Sequence, residues 1–476
     1  MKYAVNSREM KLIDDYTIKV LKIPEAVLME RAAIAVTDIM KRQIKKEDRI
    51  LAVCGPGNNG GDGIAAGRIL YLQGYHVAIL LIGDENKATA GMRAQMEIAK
   101  NLGITIENCN KLHEYNIIID AIFGVGLSRP VTGAYEEIIN EINSRVCTVY
   151  SVDIPSGISA DNGKVMNTAI HADYTITFGH QKKGLLFYPG ADYSGNISIA
   201  DIGFPNIATT KANPDTIYYD WEDLCKLPTR KNYSNKGTFG KVLLIAGSQG
   251  MSGAAYLSAK AAYRSGAGLV KVLTSKDNRV ILQTSIPEAI IAAYDEETSE
   301  TADWNNKILA ELAWANVIVI GPGIGLSQTA QNLIEMVIKY AKVPVIIDAD
   351  GITLLSRLMN NHLHITNILP SENQSIQNES RNDLAISTQV IQSRLNYLAS
   401  LRNEELIITP HLMELSRLIG VPISEIVNNL VDTACQCSYN NNLIYAIKDA
   451  RTIVTQSERK YINVSGNNGM ATGGSG

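Results

Sequence analysis

Short runs of apolar, β-branched residues recur along this chain, each leading into a turn and often a helix-spaced segment. No other feature constrains the fold as much. Ile50–Cys54 precedes a glycine-rich turn and a helix read from about Asp62 to Gln73. Val77–Ile82, Ile117–Ile122 and Thr148–Ile154 repeat the pattern, and Tyr174–Phe178 and Ile197–Ile202 follow without long helices between them. Ahead of them, Pro24 suits a first helical position, with Ala26, Met29, Ala32, Ala33 and Val36 at helical spacing. Such alternation predicts a parallel sheet covered by helices. The pattern lapses between about Phe204 and Tyr233, around Pro205, Pro214 and Pro228. It resumes with Val242–Ala246, a helical Ala254–Ser265, Val317–Ile320, Val345–Ile347 and Leu406–Ile408. A chain of 476 residues exceeds one ordinary core. The division predicted is a domain at 1–210, a linker at 211–231 and a second α/β domain at 232–476. Residues 360–405 are polar, contain SENQSIQNESRND at 371–383, and read as an insertion that is helical around Val390–Leu401.

Charge narrows the partners. The 44 basic and 48 acidic side chains give a net −4, so no field draws the chain to nucleic acid or an anionic membrane. The start, MKYAVNSREMK, lacks the apolar core of a signal peptide, and no apolar run approaches the roughly 18 residues of a membrane span. Six scattered cysteines form no zinc-type pair and read as reduced thiols of a cytoplasmic protein.

Three segments of the first half carry chemistry. CGPGNNGGDG at 54–63 lies between a strand and a helix, where backbone N–H groups converge on an anion. It is not GxGxxG in dinucleotide-fold register, nor a Walker A loop, because no GKS or GKT follows. Three polar side chains, Asn58, Asn59 and Asp62, exceed what a tight turn needs. IDAIFGVGLSRP at 119–130 sets Asp120 at a strand's carboxyl end, the edge where open α/β sheets bind ligands. SVDIPSG at 151–157 sets Asp153 at another strand end, as a general base or as a loop-holding group.

Together these segments, with TFGHQKKGLL at 177–186, resemble the YjeF N-terminal domain of the NAD(P)HX epimerases from about Met1 to Pro205. The resemblance implies a Rossmann-like three-layer αβα domain that interconverts the R and S forms of hydrated NADH or NADPH. It implies substrate contacts from Asn58, Asn59, Gly60, Gly61 and Asp62, and from Gly124, Val125, Gly126, Leu127, Ser128, Arg129 and Pro130. It makes Asp153 the catalytic acid/base and gives a potassium ion to Asn59, Asp120 and Ser156, whose oxygens suit a hard cation.

In the second half KGTFG at 236–240, SGAA at 252–255, GPGIG at 321–325, DADG at 348–351, TPH at 409–411 and NNGMATGGSG at 467–476 follow in order. Each alone is weak: a histidine after a strand is more often structural, and DADG suits a helix start. In sequence they resemble the nucleotide-dependent NAD(P)HX dehydratase domain, a ribokinase-like α/β fold, from about Asn232 to Gly476. The resemblance implies dehydration of the S form with ADP or ATP, and magnesium beside the nucleotide. Gly325, His411 and Glu414 would lie along the hydrated coenzyme. Lys448, Asp449, Ala450, Arg451, Thr452, Asn467, Asn468, Gly469, Met470, Ala471, Thr472, Gly473, Gly474, Ser475 and Gly476 would lie along the nucleotide. The chain departs from the family at Leu412 and Met413 (TPHLME for TPHPGE), at Asp449 (KDA for KGA) and at Asn468 (NNGMATGG for NPGMATGG). It ends at Gly476, where the family continues with a catalytic aspartate, so impaired dehydration is expected. Family likeness also implies a homo-oligomer. Two other readings fit parts of the pattern. GPGIG and GGSG would serve a ribokinase-like small-molecule kinase, and a non-catalytic nucleotide-binding module would dispense with Asp153 and the potassium set.

Overall fold

The computed structural model describes residues 1–107, 109–296, 301–365, 382–401, 404–437 and 443–474. The chain divides into two compact units, Met1–Asp220 and Trp221–Gly476.

The first unit is built on seven parallel strands. Their spatial order is Thr105–Ile106, His76–Leu81, Arg49–Cys54, Ile117–Ala121, Thr148–Val152, Tyr174–Phe178 and Asn196–Ala200. The chain starts in the interior at Arg49–Cys54, runs to one edge, then returns to fill the other side from Ile117–Ala121 onward. These two strands therefore flank the topological switch point, where their carboxyl-end loops diverge and leave a crevice. The continuous apolar character of the strands follows from burial on both faces. Ile50 and Ala52 pack with Val36, Met40 and Ile64 in one core, while Leu51 and Val53 pack with Ile138, Ile139 and Ile142 in the other. Helix Asn58–Leu72 approaches the sheet closely because Gly63 has no side chain: a Cβ there would lie 2.3 Å from the Cβ of Ala121.

A smaller layer joins the unit's ends. Strand Lys2–Val5 pairs parallel with Gln181–Lys182 and antiparallel with Thr216–Tyr218. Residues 216–218 thus belong to a sheet although they fall in the stretch read as a linker. Three residues beside Pro214 are too short a run to show a strand's period.

The second unit orders its strands as Ile290–Tyr294, Leu269–Ser275, Lys241–Ile245, Val317–Ile320, Val345–Ile347, Leu406–Ile408, Leu443–Ile447, Ile453–Gln456 and Arg459–Ile462. The first seven pair in parallel and the last two form antiparallel pairs. Part of the polar stretch 360–405 forms helix Asn382–Ser400, which buries Ile391, Leu395 and Leu398 at helical spacing. Residues 371–381 of the proposed insertion lie outside the described residues. Among the described residues no helix is long and apolar enough to cross a membrane. Among the described residues Cys54, Cys147, Cys225, Cys435 and Cys437 form no disulfide.

Candidate active site

A cavity of about 1100 Å³ opens at the switch point of the first unit. Its walls come from the start of helix Asn58–Leu72, the loop after Ile117–Ala121, helix Ser7–Asp15 and the turn at Asp153. The Asn58 helix begins four residues before the expected Asp62, because extended Gly57 (φ −84°, ψ −178°) takes the N-cap position. Asn58 and Asn59 therefore occupy a first turn, whose N–H groups have no partner inside the helix. Of the expected residues, Asn58, Asn59, Asp62, Gly124, Val125, Gly126, Leu127, Ser128, Arg129, Pro130 and Asp153 line the cavity. Gly60 and Gly61 do not: Gly60 abuts the carbonyl of Gly55 and Gly61 abuts Met29.

Asp153 is the most constrained of these residues. Its φ of +66° is rare outside glycine, and the residue is only 8% exposed. Its Oδ1 accepts hydrogen bonds from Lys182 Nζ at 2.5 Å, Thr177 Oγ1 at 3.1 Å and Phe178 N at 3.2 Å. Lys182, fully buried, also donates to the Phe178 carbonyl at 2.9 Å. Sequence reading assigned no role to Lys182. The available signal was HQKKG after a buried strand: Lys183 is also buried and pairs with Asp215 at 2.8 Å and Glu9 at 3.3 Å.

Two further carboxyls face the same space. Burial pushes Asp14 up to about 7; Lys182 opposes the shift and Asp153, Asp15 and Glu25 add to it. Burial also drives Asp62 well above the usual carboxylate range, with Asp153, Asp14 and Glu25 adding. Glu25 accepts a hydrogen bond from Asn58 Nδ2. Asp14 matched no motif and was missed from sequence.

Behind the cavity wall, Asp120 is fully buried. It accepts hydrogen bonds from Ser151 Oγ at 2.7 Å, Ser156 N at 2.9 Å and Ser156 Oγ at 2.5 Å. Burial raises its carboxyl, and these hydrogen bonds from Ser156 and Ser151 oppose the shift. Ser156 Oγ also accepts from Phe123 N at 2.9 Å. Asn59 packs on Gly124, where an added Cβ would lie 3.2 Å from its Oδ1, and its buried Nδ2 has no partner. Among the described residues no three His, Cys, Asp or Glu side chains gather as a metal site. A cation here would rest on mixed carboxylate, hydroxyl, amide and carbonyl oxygens.

In the second unit the motif residues are engaged with one another. Asp348 Oδ1 accepts from Thr409 Oγ1 at 2.8 Å and from Lys448 Nζ at 2.7 Å. Gly321 lies so close to the Asp348 carbonyl that a Cβ would stand 1.8 Å from its oxygen. Gly325 N donates to Asp350 Oδ2 at 2.9 Å. His411 caps helix Leu412–Ile419: its Nδ1 accepts from Met413 N and Glu414 N, while Glu414 Oε2 accepts from His411 N at 2.9 Å. Its other nitrogen lies 3.2 Å from Glu414 Oε1. His411 and Glu414 thus form a reciprocal capping box, the structural role a histidine after a strand so often takes. Asp449 and Ala450 are exposed, Arg451 donates to the Val464 carbonyl at 2.8 Å, and Thr452 accepts from Asn463 N at 2.9 Å. Asn467 caps the turn Asn468–Met470, and Ala471, Thr472, Gly473 and Gly474 follow, exposed, with Gly474 against Leu257. Ser475 and Gly476 lie outside the described residues.

Known proteins divide along the same two units. A family model described as YjeF-related protein N-terminus matches residues 25–184, and one described as NAD(P)H-hydrate dehydratase matches 242–369 and 385–476. The bifunctional NAD(P)H-hydrate repair enzyme Nnr of Thermofilum pendens is 32% identical over 98% of this chain and 84% of its own. The NAD(P)H-hydrate epimerase of Limosilactobacillus reuteri is 46% identical over 41% of this chain and 94% of its own. A ribokinase-like superfamily protein from Enterococcus faecalis superposes with a TM-score of 0.40 at 28% identity, covering 55% of this chain and 75% of that one.

Proposed function

The chain belongs to the bifunctional NAD(P)H-hydrate repair enzymes, and from that premise we propose which of its residues do the work. Its first unit is an NAD(P)H-hydrate epimerase and its second an NAD(P)H-hydrate dehydratase.

Water added across the enamine double bond of a reduced nicotinamide leaves a hydroxyl on the carbon beside the ring nitrogen. The two epimers differ at that carbon, and exchanging them needs a proton delivered and a proton removed. Asp153 is the group for this task. The observation that carries the reading is its lysine-paired, backbone-strained carboxylate on the wall of the switch-point cavity. That cavity is of the size that takes cofactors. The turn at Asn58, Asn59 and Asp62 and the loop from Gly124 to Pro130 hold the coenzyme, whose phosphates suit the open helix start. Gly60 and Gly61 act by letting that turn pack.

Asn59, Asp120 and Ser156 would hold a potassium ion. The fit rests on the oxygens there: the Asn59 amide oxygen against Gly124, and the fully buried Asp120 carboxylate hydrogen-bonded to the buried Ser156 hydroxyl. A monovalent cation there would supply positive charge beside the fully buried carboxylate of Asp120. In the second unit, Gly325, His411 and Glu414 border the hydrated coenzyme. Lys448 to Thr452 and Asn467 to Gly476 border ADP or ATP with magnesium. His411 and Glu414 serve there by fixing the start of helix Leu412–Ile419. The enzyme is a cytoplasmic homo-oligomer; cysteines without disulfides among the described residues are in keeping with the first of these.

The test supplies a mixture of R- and S-NADHX with the chain, magnesium and ADP or ATP, and follows NADH at 340 nm. Interconversion of R and S, read by chromatography, supports the reading of the first unit, and NADH formed at any rate with nucleotide supports that of the second. Phosphoryl transfer to a small-molecule alcohol without NADH would overturn it in favour of a kinase.

A further inference from the structure

We propose that Asp14 is a second proton carrier of the epimerase, working across the same cavity as Asp153; the proposal rests on the epimerase reading above. Helix Ser7–Asp15 turns Met10 and Ile13 into a small core with Val5 and Ala208. Its other face, Lys11, Asp14 and Asp15, continues through Ile18 along the cavity wall. Just after Asp14 the helix widens into a π turn, Tyr16–Val20, closed by Leu21 N donating to the Tyr16 carbonyl at 3.0 Å. Such wide turns recur at functional sites.

Charge supplies the second argument. Asp14, Asp62 and Asp153 all line the cavity, and Lys182 is the fully buried cation facing them. Lys182 hydrogen-bonds Asp153, while the carboxyls of Asp14 and Asp62 accept no hydrogen bond among the described residues. Asp153 is buried and Asp14 and Asp62 are half-buried, while the other cations of the lining, Lys11, Lys19, Lys87 and Arg129, are exposed; one buried ammonium does not balance three carboxylates, so the cluster keeps a proton. Asp14 is the carboxyl pushed up to about 7, so it exchanges that proton near neutrality.

The step balances as follows. The carbon–oxygen bond breaks as the ring nitrogen's lone pair forms a C=N bond, and the departing oxygen takes the proton of Asp14 and leaves as water. Water then adds to the carbon's other face, the C=N electron pair returns to nitrogen, and Asp153 takes the proton released. Asp14 ends ionised and Asp153 protonated; exchange with solvent resets both.

The experiment uses the full chain and separated R-NADHX without nucleotide, following R and S by chromatography from pH 5.5 to 9. Asp14→Asn is expected to lower kcat about 100-fold with KM within threefold. It should also remove the fall in kcat above pH 7 that loss of the Asp14 proton produces. The groups facing that titration are Lys182, Asp153, Asp15, Glu25 and Asp62. Asp14→Glu should restore much of the rate and move the alkaline limb. Parental kcat and pH profile in Asp14→Asn, or a loss confined to KM, would overturn the proposal. If Asp14→Asn does not fold, an unmoved limb in Asp14→Glu does the same. A parent chain without epimerisation overturns the underlying reading; an active parent, inactive Asp153→Asn and indifferent Asp14→Asn overturn this proposal alone.

Discussion

Helix-borne carboxyls of the first unit's cavity and strand-end groups of the second unit are met differently. In the first unit Asp14 and Asp62 face a cavity with no hydrogen bond to their carboxyls among the described residues, and Asn59 buries an unpaired amide. In the second unit Asp348 is met by Thr409 and Lys448, Gly325 by Asp350, and His411 by Glu414. Satisfied groups hold loops, and unsatisfied buried groups are costly enough to need another reason for being there. Asp14 and Asp62 are therefore open to whatever enters the cavity, whereas the second unit's motif groups are closed on one another.

The largest expected effect that sharpens this contrast comes from Lys182→Met. It leaves Asp153 Oδ1 with only Thr177 and Phe178, and breaking a buried pair costs about 3–5 kcal/mol. The matching change in the second unit, Lys448→Met, removes a partly exposed pair and costs about 0–1 kcal/mol. Urea titration with hydrogen exchange reads both; equal losses would break the comparison.

A pH series tests the next effect. Asp14 binds its proton more tightly folded than unfolded, so the stability it contributes is complete below about pH 4 and is lost as pH rises to about 7. Asp14→Asn should therefore be more stable than the parent at pH 8, by about 1–2 kcal/mol after discounting for solvent in the cavity. The two chains should converge at pH 4. A constant difference across the series would show that Asp14 is not held protonated.

The smallest effect concerns His411. If it serves as a cap, His411→Ala costs about 1 kcal/mol, measured by urea titration, and His411→Asn restores most of that. A loss of dehydration in His411→Asn at unchanged stability would give the histidine a chemical role as well.

Much of the architecture was legible. Runs such as Ile50–Cys54 and Val317–Ile320 are apolar throughout because both sheet faces are covered, and that signal is local. Asn58, Asp62 and Asp153 were legible because strand-end turns rich in glycine and polar residues are uncommon without a ligand. Lys182 and Asp14 were not. Each reads as an ordinary polar residue until a fold that joins residues 14, 62, 153 and 182 around one cavity buries it. The early start of helix Asn58–Leu72 was missed because NNGG has low helix propensity, which packing on the sheet overrides. Strand Thr216–Tyr218 was missed because its partner lies more than two hundred residues away.

The central claim is that Asp153 in the first unit carries the epimerisation. The direct measurement incubates separated R-NADHX with the parent chain and with Asp153→Asn, without nucleotide, and follows the appearance of S-NADHX by chromatography. The account predicts conversion toward an R/S equilibrium by the parent, and a rate at least about 100-fold lower in the variant. Equal rates in the two chains would contradict it.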